Sequence, residues 1–568
     1  MNFIQHESST KLRGGYYTDL DIAHFLARWA LQPRPKRLLE PSCGDGAFIA
    51  AIAQSRPAFL RELVAFEIDP EEAAKARLRA RNIAARRIEV LAENFLEWSV
   101  SNESSPERFD AVVGNPPFIR YQYLSDVEQR RMRKIFDRLA LPFTGHTNLW
   151  VPFALLAIDC LNPGGRLAMV VPAEILHVIY AQPLRQFIST NCSRALIIDT
   201  QDLLFSDALQ GVVLLLAEKR PARARALPAV AMTTVTSRAF LNEDPESLFE
   251  QARLTNAEQL KGKWTRALLT EPERSLLDEI ASHPAVFEFG QIAAVDVGIV
   301  TGANKFFLVP DETVSAYGLE PWARPMFGRS SHARGVIYDG RSHDENRKEG
   351  LATNFLWFKQ TAASNLPDRV RRYIDLGEAE GLHRRYKCRI REPWYNVPSV
   401  SSAPVAMLKR CHFYPRLILN RLGALTTDTA YRIRPTAVVD PARLVCSFVN
   451  SLTALTAELE GRHYGGGVLE LVPSEIERLL VPQPASGRAL LEKLDRAVRA
   501  GEPPESLLPR QDRLVLGAVG LTDGQRESLF LAWDRLRRRR LRESAREALK
   551  KRRVEKEARL DTNTGPEG

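Results

Sequence analysis

Four short apolar runs in the first 115 residues, separated by helix-forming stretches, limit this chain more than any other feature. They are Arg37-Leu38-Leu39-Glu40, Leu63-Val64-Ala65-Phe66, Ile88-Glu89-Val90-Leu91 and Phe109-Asp110-Ala111-Val112-Val113-Gly114. Such runs read as buried strands, and strands alternating with helices assemble as an open α/β sheet. The first run leads into Pro41-Ser42-Cys43-Gly44-Asp45-Gly46, after which Ala47-Phe48-Ile49-Ala50-Ala51-Ile52 begins a helix. Gly44 and Gly46 let the backbone approach a ligand closely. A dinucleotide fingerprint requires a further glycine where Ile49 stands, which disfavours NAD, and no Gly-Lys-Ser/Thr makes a phosphate loop. Glu67 lies about 20 residues past the glycine turn, where an acid that binds ribose hydroxyls belongs in such folds. Asp69 precedes Pro70-Glu71-Glu72 and reads as a helix cap. Past the third run stand Asn94, suited to an adenine edge, and Phe95, suited to covering a ring. Turn polarity and core packing explain these two equally well.

The fourth run stops at Asn115-Pro116-Pro117-Phe118. Glycine and two prolines end the strand abruptly and hold a side-chain amide at its carboxyl end, where open α/β sheets bind ligands. An amide carbonyl, a neighbouring backbone carbonyl and a stacking ring can together grip a planar ring that bears an amino group. Taken alone, the tetrapeptide reads equally well as a proline turn after a strand.

Gly14-Gly15-Tyr16-Tyr17-Thr18, Glu40 through Gly46, Phe66-Glu67-Ile68-Asp69, Asn94-Phe95 and Asn115 through Phe118 occur in that order. The ordered series resembles the TaqI-like, or gamma-class, adenine-N6 DNA methyltransferases, and looks closest to bacterial modification methylases of the XhoI kind. The resemblance implies a Rossmann-like class I methyltransferase domain, S-adenosylmethionine as cofactor and double-stranded DNA as substrate. It implies that Tyr17 and Thr18 border the cofactor and that Glu40, Cys43 and Gly44 surround its methionine part. Glu67 would hold the ribose, and Asn94 and Phe95 would contact the adenine. Asn115, Pro116, Pro117 and Phe118 would be the catalytic residues acting on a flipped-out adenine. This chain departs from the pattern at Asn94, where the family usually has an acid, and at Asp19, where it usually has proline. The family's later aromatic ring has no counterpart in Gly211-Val212-Val213-Leu214-Leu215-Leu216.

Composition excludes several other classes. The chain has 568 residues, 45% apolar and 26% charged, as in soluble multidomain proteins. It has no uninterrupted apolar run of about 18 residues, so no membrane span is expected. The start lacks the apolar core of a signal peptide. Six scattered cysteines without a Cys-x-x-Cys pair fit a reducing, cytoplasmic setting. Ten histidines show no zinc-ligand spacing, and no metal is expected. No Pro-Cys pair offers the nucleophile of cytosine-C5 chemistry. The net charge of +10 is concentrated between Arg535 and Arg553, where eleven Lys/Arg stand against two Glu. The remainder has 68 basic against 67 acidic residues, so its charge alone marks no basic groove.

Four regions follow. Residues 1–220 read as the catalytic domain, and 221–285 as a linker with short helices. Residues 286–486 read as a mixed α+β target-recognition domain rich in aromatics and arginines, and 487–568 as a helical segment with a basic tail. Val297 through Phe307, Arg391-Glu392-Pro393-Trp394-Tyr395 and Arg462-His463-Tyr464-Gly465-Gly466-Gly467 resemble recognition segments of related methylases. For single side chains such as Trp394 and Tyr395, core packing is the favoured reading. Asn148 and Trp150 fit either a cofactor pocket or plain helix packing. The basic run from Arg535 fits DNA phosphates or a solvated helix. Asn-Pro-Pro-aromatic also marks ribosomal-RNA guanine-N2 and release-factor glutamine methyltransferases, which are the alternative enzyme readings. A DNA-binding module with a vestigial methyltransferase fold is the non-enzyme one. Thirteen residues before Gly14 are too few for a nuclease, and no acid-x-Lys cluster stands out. A separately encoded endonuclease or defence partner is compatible with this sequence, which does not itself show one.

Overall fold

The computed structural model describes residues 18–102, 107–200, 211–221, 229–235, 237–252, 255–256, 260, 263–359, 361–464, 467–483 and 490–541. Tyr17, with the rest of the Gly14–Tyr17 stretch, Gly465, Gly466 and the basic run beyond Leu541 lie outside the described residues. Two compact units divide between Leu269 and Thr270.

The first unit is built on one nine-stranded sheet. Its strands are β1 (Arg37–Glu40), β2 (Glu62–Phe66), β3 (Arg87–Leu91), β4 (Phe109–Gly114), β5 (Leu161–Pro172), β6 (Cys192–Thr200), β7 (Val212–Lys219), β8 (Ala229–Val235) and β9 (Thr255–Asn256), in the spatial order 3-2-1-4-5-7-6-8-9. Strands β3, β2, β1, β4 and β5 run parallel, and β7 runs antiparallel to both β5 and β6. The sheet continues through β8 and β9, beyond the expected catalytic boundary at 220.

The strands are nearly all apolar because helices cover both faces. On one face Leu38, Leu63, Ala65, Ala111 and Val113 pack with Phe25, Phe48, Ile49 and Ala76 from α1 (Leu20–Leu31), α2 (Ala47–Ser55) and α3 (Pro70–Ala80). On the other, Leu39, Val64, Phe66 and Val112 pack with Phe95, Ile135, Trp150 and Leu184. These come from α4 (Phe95–Ser101), α5 (Asp126–Arg138), α6 (Trp150–Asp159) and α7 (Gln182–Asn191). Strand neighbours thus alternate between two cores. The order of the sheet reverses between β1 and β4, and a crevice opens at such a point outside the carboxyl ends of the strands.

The second unit is mixed. Its five-stranded sheet runs Ala293–Val297, Ala430–Pro435, Val405–Leu408, Leu417–Asn420, Ile337–Tyr338, with antiparallel pairing except for the last strand. A second core gathers Phe306, Phe307, Phe355, Phe358, Tyr373, Trp394 and Tyr395. Trp394 and Tyr395 are therefore core residues, as favoured. Helices Leu491–Arg499, Pro504–Val515 and Asp523–Leu541 close the unit. The last begins with a reciprocal cap in which Gln525 N donates to Thr522 Oγ1 and Thr522 N donates to Gln525 Oε1. No helix among the described residues is long and apolar enough to cross a membrane.

Candidate active site

Four parallel strands deliver the expected residues to one edge of the first sheet. Glu40 is the last residue of β1, Glu67 follows β2, Asn94 lies three residues past β3, and Asn115 follows β4. Register places β1 beside β4, with Leu39 opposite Val112. The two loops at the reversal point are tied together, since Ser42 Oγ donates to the Asn115 carbonyl at 3.1 Å. Asn115 Nδ2 donates to Thr18 Oγ1 at 3.2 Å across 97 positions of sequence. The amino-terminal segment and the tetrapeptide therefore meet. Pro116 is buried, and Phe118 is half-buried and packs against both cores.

The loop after β1 is shaped for a ligand. Gly44 stands at φ +52°, a left-handed conformation that favours glycine, and the space where a Cβ would point is open. Its N–H donates to Glu67 Oε2 at 2.9 Å, while Asp69 N donates to Glu67 Oε1 at 2.9 Å. Burial raises the Glu67 carboxyl above its ordinary range, and those two backbone donors oppose the shift. Gly46, at φ +90°, brings α2 so close to α3 that a Cβ would lie 3.0 Å from Ala76 Cα. Asp69 caps α3 by accepting from Glu71 N at 2.9 Å and Glu72 N at 3.4 Å, with Pro70 in the first turn.

Glu40 is fully buried, and neither carboxylate oxygen has a hydrogen-bond partner among the described residues. Burial, then the nearby Asp45 and Glu67 charges, push its pKa well above the carboxylate range. An orphaned acid of this kind fits a site for a ligand cation, such as the α-ammonium of a methionine moiety. Burial likewise pushes the Cys43 thiol far up, helped by the Glu40 and Glu67 charges, so Cys43 stays neutral and is a packing residue of the pocket wall.

Two expectations shift in detail. The Asn94 oxygen caps α4, accepting from Leu96 N at 2.9 Å and Glu97 N at 3.4 Å. That oxygen is engaged by the helix, which leaves the Nδ2 donor as the end a ligand would meet. Phe95 is 1% exposed and its ring packs on Phe66, Trp98 and Phe153, so it belongs to the core. Asn148 and Trp150 are also buried, at 4% and 0%. Asp19 forms an ion pair with Arg238 at 2.8 Å.

Residue-by-residue reading missed two features. Ile68 is 64% exposed between Glu67 and Asp69, an apolar side chain left at the rim of a crevice. Its only signal in the sequence is its place between two acids at a strand end. Glu174, just beyond β5, accepts from the Tyr180 hydroxyl and lies within the field of Arg120, which follows the tetrapeptide. Burial raises its carboxyl nonetheless.

Two family models match the chain. Residues 62–205 match the Eco57I restriction-modification methylase family, and residues 261–516 match the C-terminal domain of the type II methyltransferase M.Eco57I. Among curated relatives, type II methyltransferase M.AccI of Acinetobacter calcoaceticus is 22% identical over 82% of this chain and 84% of its own length. Type II methyltransferase M.XamI of Xanthomonas campestris pv. amaranthicola is 26% identical over 83% and 85%. Among solved structures, the type IIG restriction endonuclease BpuSI aligns with 94% of this chain and 67% of its own at 14% identity, with a TM-score of 0.43. The family matches and the relatives that span both units, taken with the ligand crevice of the first, make this chain a DNA methyltransferase of the restriction-modification type with S-adenosylmethionine as its methyl donor.

Proposed function

We propose that the chain methylates the exocyclic N6 of adenine at a specific sequence in duplex DNA, in the manner of the TaqI-like enzymes and of XhoI-type modification methylases. One observation carries this reading. The Asn115–Phe118 loop stands at the reversal point of the sheet, tied by Ser42 and Thr18 to the loops that would hold the cofactor. Bound there, S-adenosylmethionine supplies a methyl carbon already activated by its sulfonium. The remaining work falls to the chain, which must extrude, orient and polarise the base. Asn115 Oδ1 and the Pro116 carbonyl accept from the adenine amino group. They favour a pyramidal nitrogen whose lone pair is no longer spread into the ring. The two prolines fix that geometry, and Phe118 stacks on the extruded base. Glu40 and Gly44 hold the methionine part, with Cys43 packing beside them. Glu67 would hold the ribose, and Thr18 and Tyr17 would border the cofactor. Ile68 would offer apolar contact to the cofactor's adenine, and Asn94 would hold it through its Nδ2 donor. Modification by this chain would protect host DNA from a separately encoded endonuclease or defence partner in the cytoplasm.

The Glu40 assignment predicts a proton linkage. Without cofactor, burial keeps Glu40 protonated well above the usual range, and a cation seated against it draws the proton off. Affinity therefore rises with pH up to that raised pKa, and binding releases a proton. Glu40→Gln should remove this pH dependence and weaken cofactor binding on the order of ten- to a hundredfold, the magnitude of a charge-assisted hydrogen bond. Calorimetry in buffers of differing ionisation enthalpy reads both effects. Unchanged proton release in the variant would remove Glu40 from the site.

The stacking assignment predicts unequal losses. Phe118→Ala should lower transfer roughly tenfold more on a paired target adenine than on a mismatched one, because the mismatched base is already easier to unstack. Equal losses on both targets would count against stacking. The reading as a whole is tested by expression in a methylation-free host followed by single-molecule sequencing. N6-methyladenine at one recurrent sequence is expected, and a genome without modified adenine would refute it.

A further inference from the structure

Many arginines of this protein are engaged by its own acids. Arg37 is held by Glu62 and Glu107, Arg194 by Glu218 and Glu246, Arg347 by Asp311, and Arg540 by Glu458. One stretch of the second unit breaks this habit. His383-Arg384-Arg385-Tyr386-Lys387-Cys388-Arg389-Ile390-Arg391 has five Arg/Lys and no acid. Arg384, Arg385, Lys387 and Arg389 are exposed and form no ion pair among the described residues. Tyr386 and Ile390 stand 64% and 61% exposed among them.

The stretch is not a loose loop. Leu382 and Cys388 are anchored in the aromatic core. Arg391 faces inward and donates at 2.7 Å to the carbonyls of both Val300 and Thr301. Gly302, at φ +81°, lies so close that a Cβ there would come within 2.8 Å of Lys387 Cβ. The ribbon and the 299–304 loop are thus locked together. The backbone that carries the outward cations is thereby anchored, and none of the four pairs with an acid among the described residues. Exposed cations on an anchored backbone, beside an exposed aromatic ring, fit a polyanion that also presents flat, apolar surface.

We propose that this ribbon grips the backbone of duplex DNA, with Arg384, Arg385, Lys387 and Arg389 on phosphates and Tyr386 and Ile390 laid against a groove. The proposal rests on the methyltransferase reading above and adds where the second unit meets its substrate. Arg391 through Tyr395, one of the three segments that resemble recognition segments of related methylases, supplies the anchor through Arg391, and the proposed DNA-facing surface lies just before it.

The test uses the full chain carrying Arg384→Gln, Arg385→Gln, Lys387→Gln and Arg389→Gln together. All four side chains are exposed, and an unchanged thermal unfolding profile checks the fold. Binding to a duplex is measured between low and moderate salt. Each phosphate contact contributes about 0.9 to the slope of log affinity against log salt, so the slope should flatten by roughly 3 to 4. The pair Arg384→Gln/Arg385→Gln should flatten it by about half as much and serves if the fourfold variant unfolds. Affinity for S-adenosylmethionine should not change. If the wild type binds and methylates duplex DNA but the variants keep its slope, the ribbon is not the grip and the methyltransferase reading stands. A wild type that neither binds nor methylates duplex DNA overturns both. If the four cations govern binding to an RNA oligonucleotide more tightly held than duplex, the partner assigned here is wrong.

Discussion

Asn115→Ala should lower methyl transfer on the order of 10²–10³-fold, the usual cost of removing one group aimed at charge that develops in the transition state. S-adenosylmethionine should bind nearly as before. The expectation follows from where the residue is held. Its backbone carbonyl is fixed by Ser42, two prolines stiffen the chain after it, and it follows directly on a strand buried at every position but Asp110. Truncation at Cβ therefore removes the amide without moving the loop. On the cofactor side the truncation deletes the Nδ2 bond to Thr18, a neutral hydrogen bond contributing about 0.5–1.5 kcal/mol. A bond of that strength accounts for a drop in cofactor affinity of roughly tenfold at most. Asn115→Asp keeps oxygen acceptors but removes that donor, and should fall between wild type and alanine. Single-turnover transfer of a labelled methyl group, set beside calorimetric cofactor binding, separates the two effects. Loss of binding and transfer in parallel would mean that Asn115 serves the cofactor pocket and not the base.

Arg540→Met should destabilise the second unit by about 3–5 kcal/mol, the range for breaking a buried ion pair on one side. Arg540 and Glu458 side chains are both 0% exposed. The guanidinium donates to both Glu458 oxygens, at 2.7 to 3.1 Å, and to the carbonyls of Gly467 and His412. It pins the terminal helix to the Ser451–Glu460 helix. Removing only the arginine leaves a carboxylate in the interior, with His463 3.5 Å away as a remaining neighbour that can carry positive charge. Replacing both members, Arg540→Met with Glu458→Leu, should recover much of the loss because no orphaned charge remains. Chemical unfolding monitored by tryptophan fluorescence reads both variants. If the single variant is as stable as wild type, the pair is not the fastening the geometry indicates.

The same pair explains why the basic tail misleads when read as charge alone. Arg535 is bound to Glu273, Arg537 to Asp534 and Glu505, and Arg538 to Asp534. The described start of the run is engaged by the protein's own acids. Asp534 is a local partner, three and four residues from Arg537 and Arg538, but Glu505 lies 32 positions from Arg537 and Glu273 262 from Arg535, so no local pattern announces those two.

The first unit is far more legible in sequence. Its strand ends are marked by residues that cannot continue a strand, and the parallel order follows from the helices between them. The position of Glu40, Glu67, Asn94 and Asn115 at one sheet edge is therefore readable before any geometry. The cap role of Asp69 is equally plain, because Pro70 and two acids follow it. What escapes is whatever depends on tertiary neighbours. The Asn94 oxygen is taken by its own helix, and the Phe95 ring is drawn into a core with Phe66 and Phe153. The sheet's continuation through β8 and β9 also escapes, since β8 is a short run in mixed sequence, β9 has only two residues, and both are ordered by pairing that starts from β6. In the second unit, short strands and a core of scattered aromatics leave little periodicity. The ribbon of outward cations emerges only once the partners of the other arginines are known.

The most direct measurement is nucleoside analysis of duplex DNA after incubation with the purified full chain and isotopically labelled S-adenosylmethionine. Label confined to N6-methyladenine, and absent when Asn115 is alanine, is the predicted result. Label on cytosine, on RNA or on a protein amide, with adenine untouched in diverse duplexes, would contradict the account.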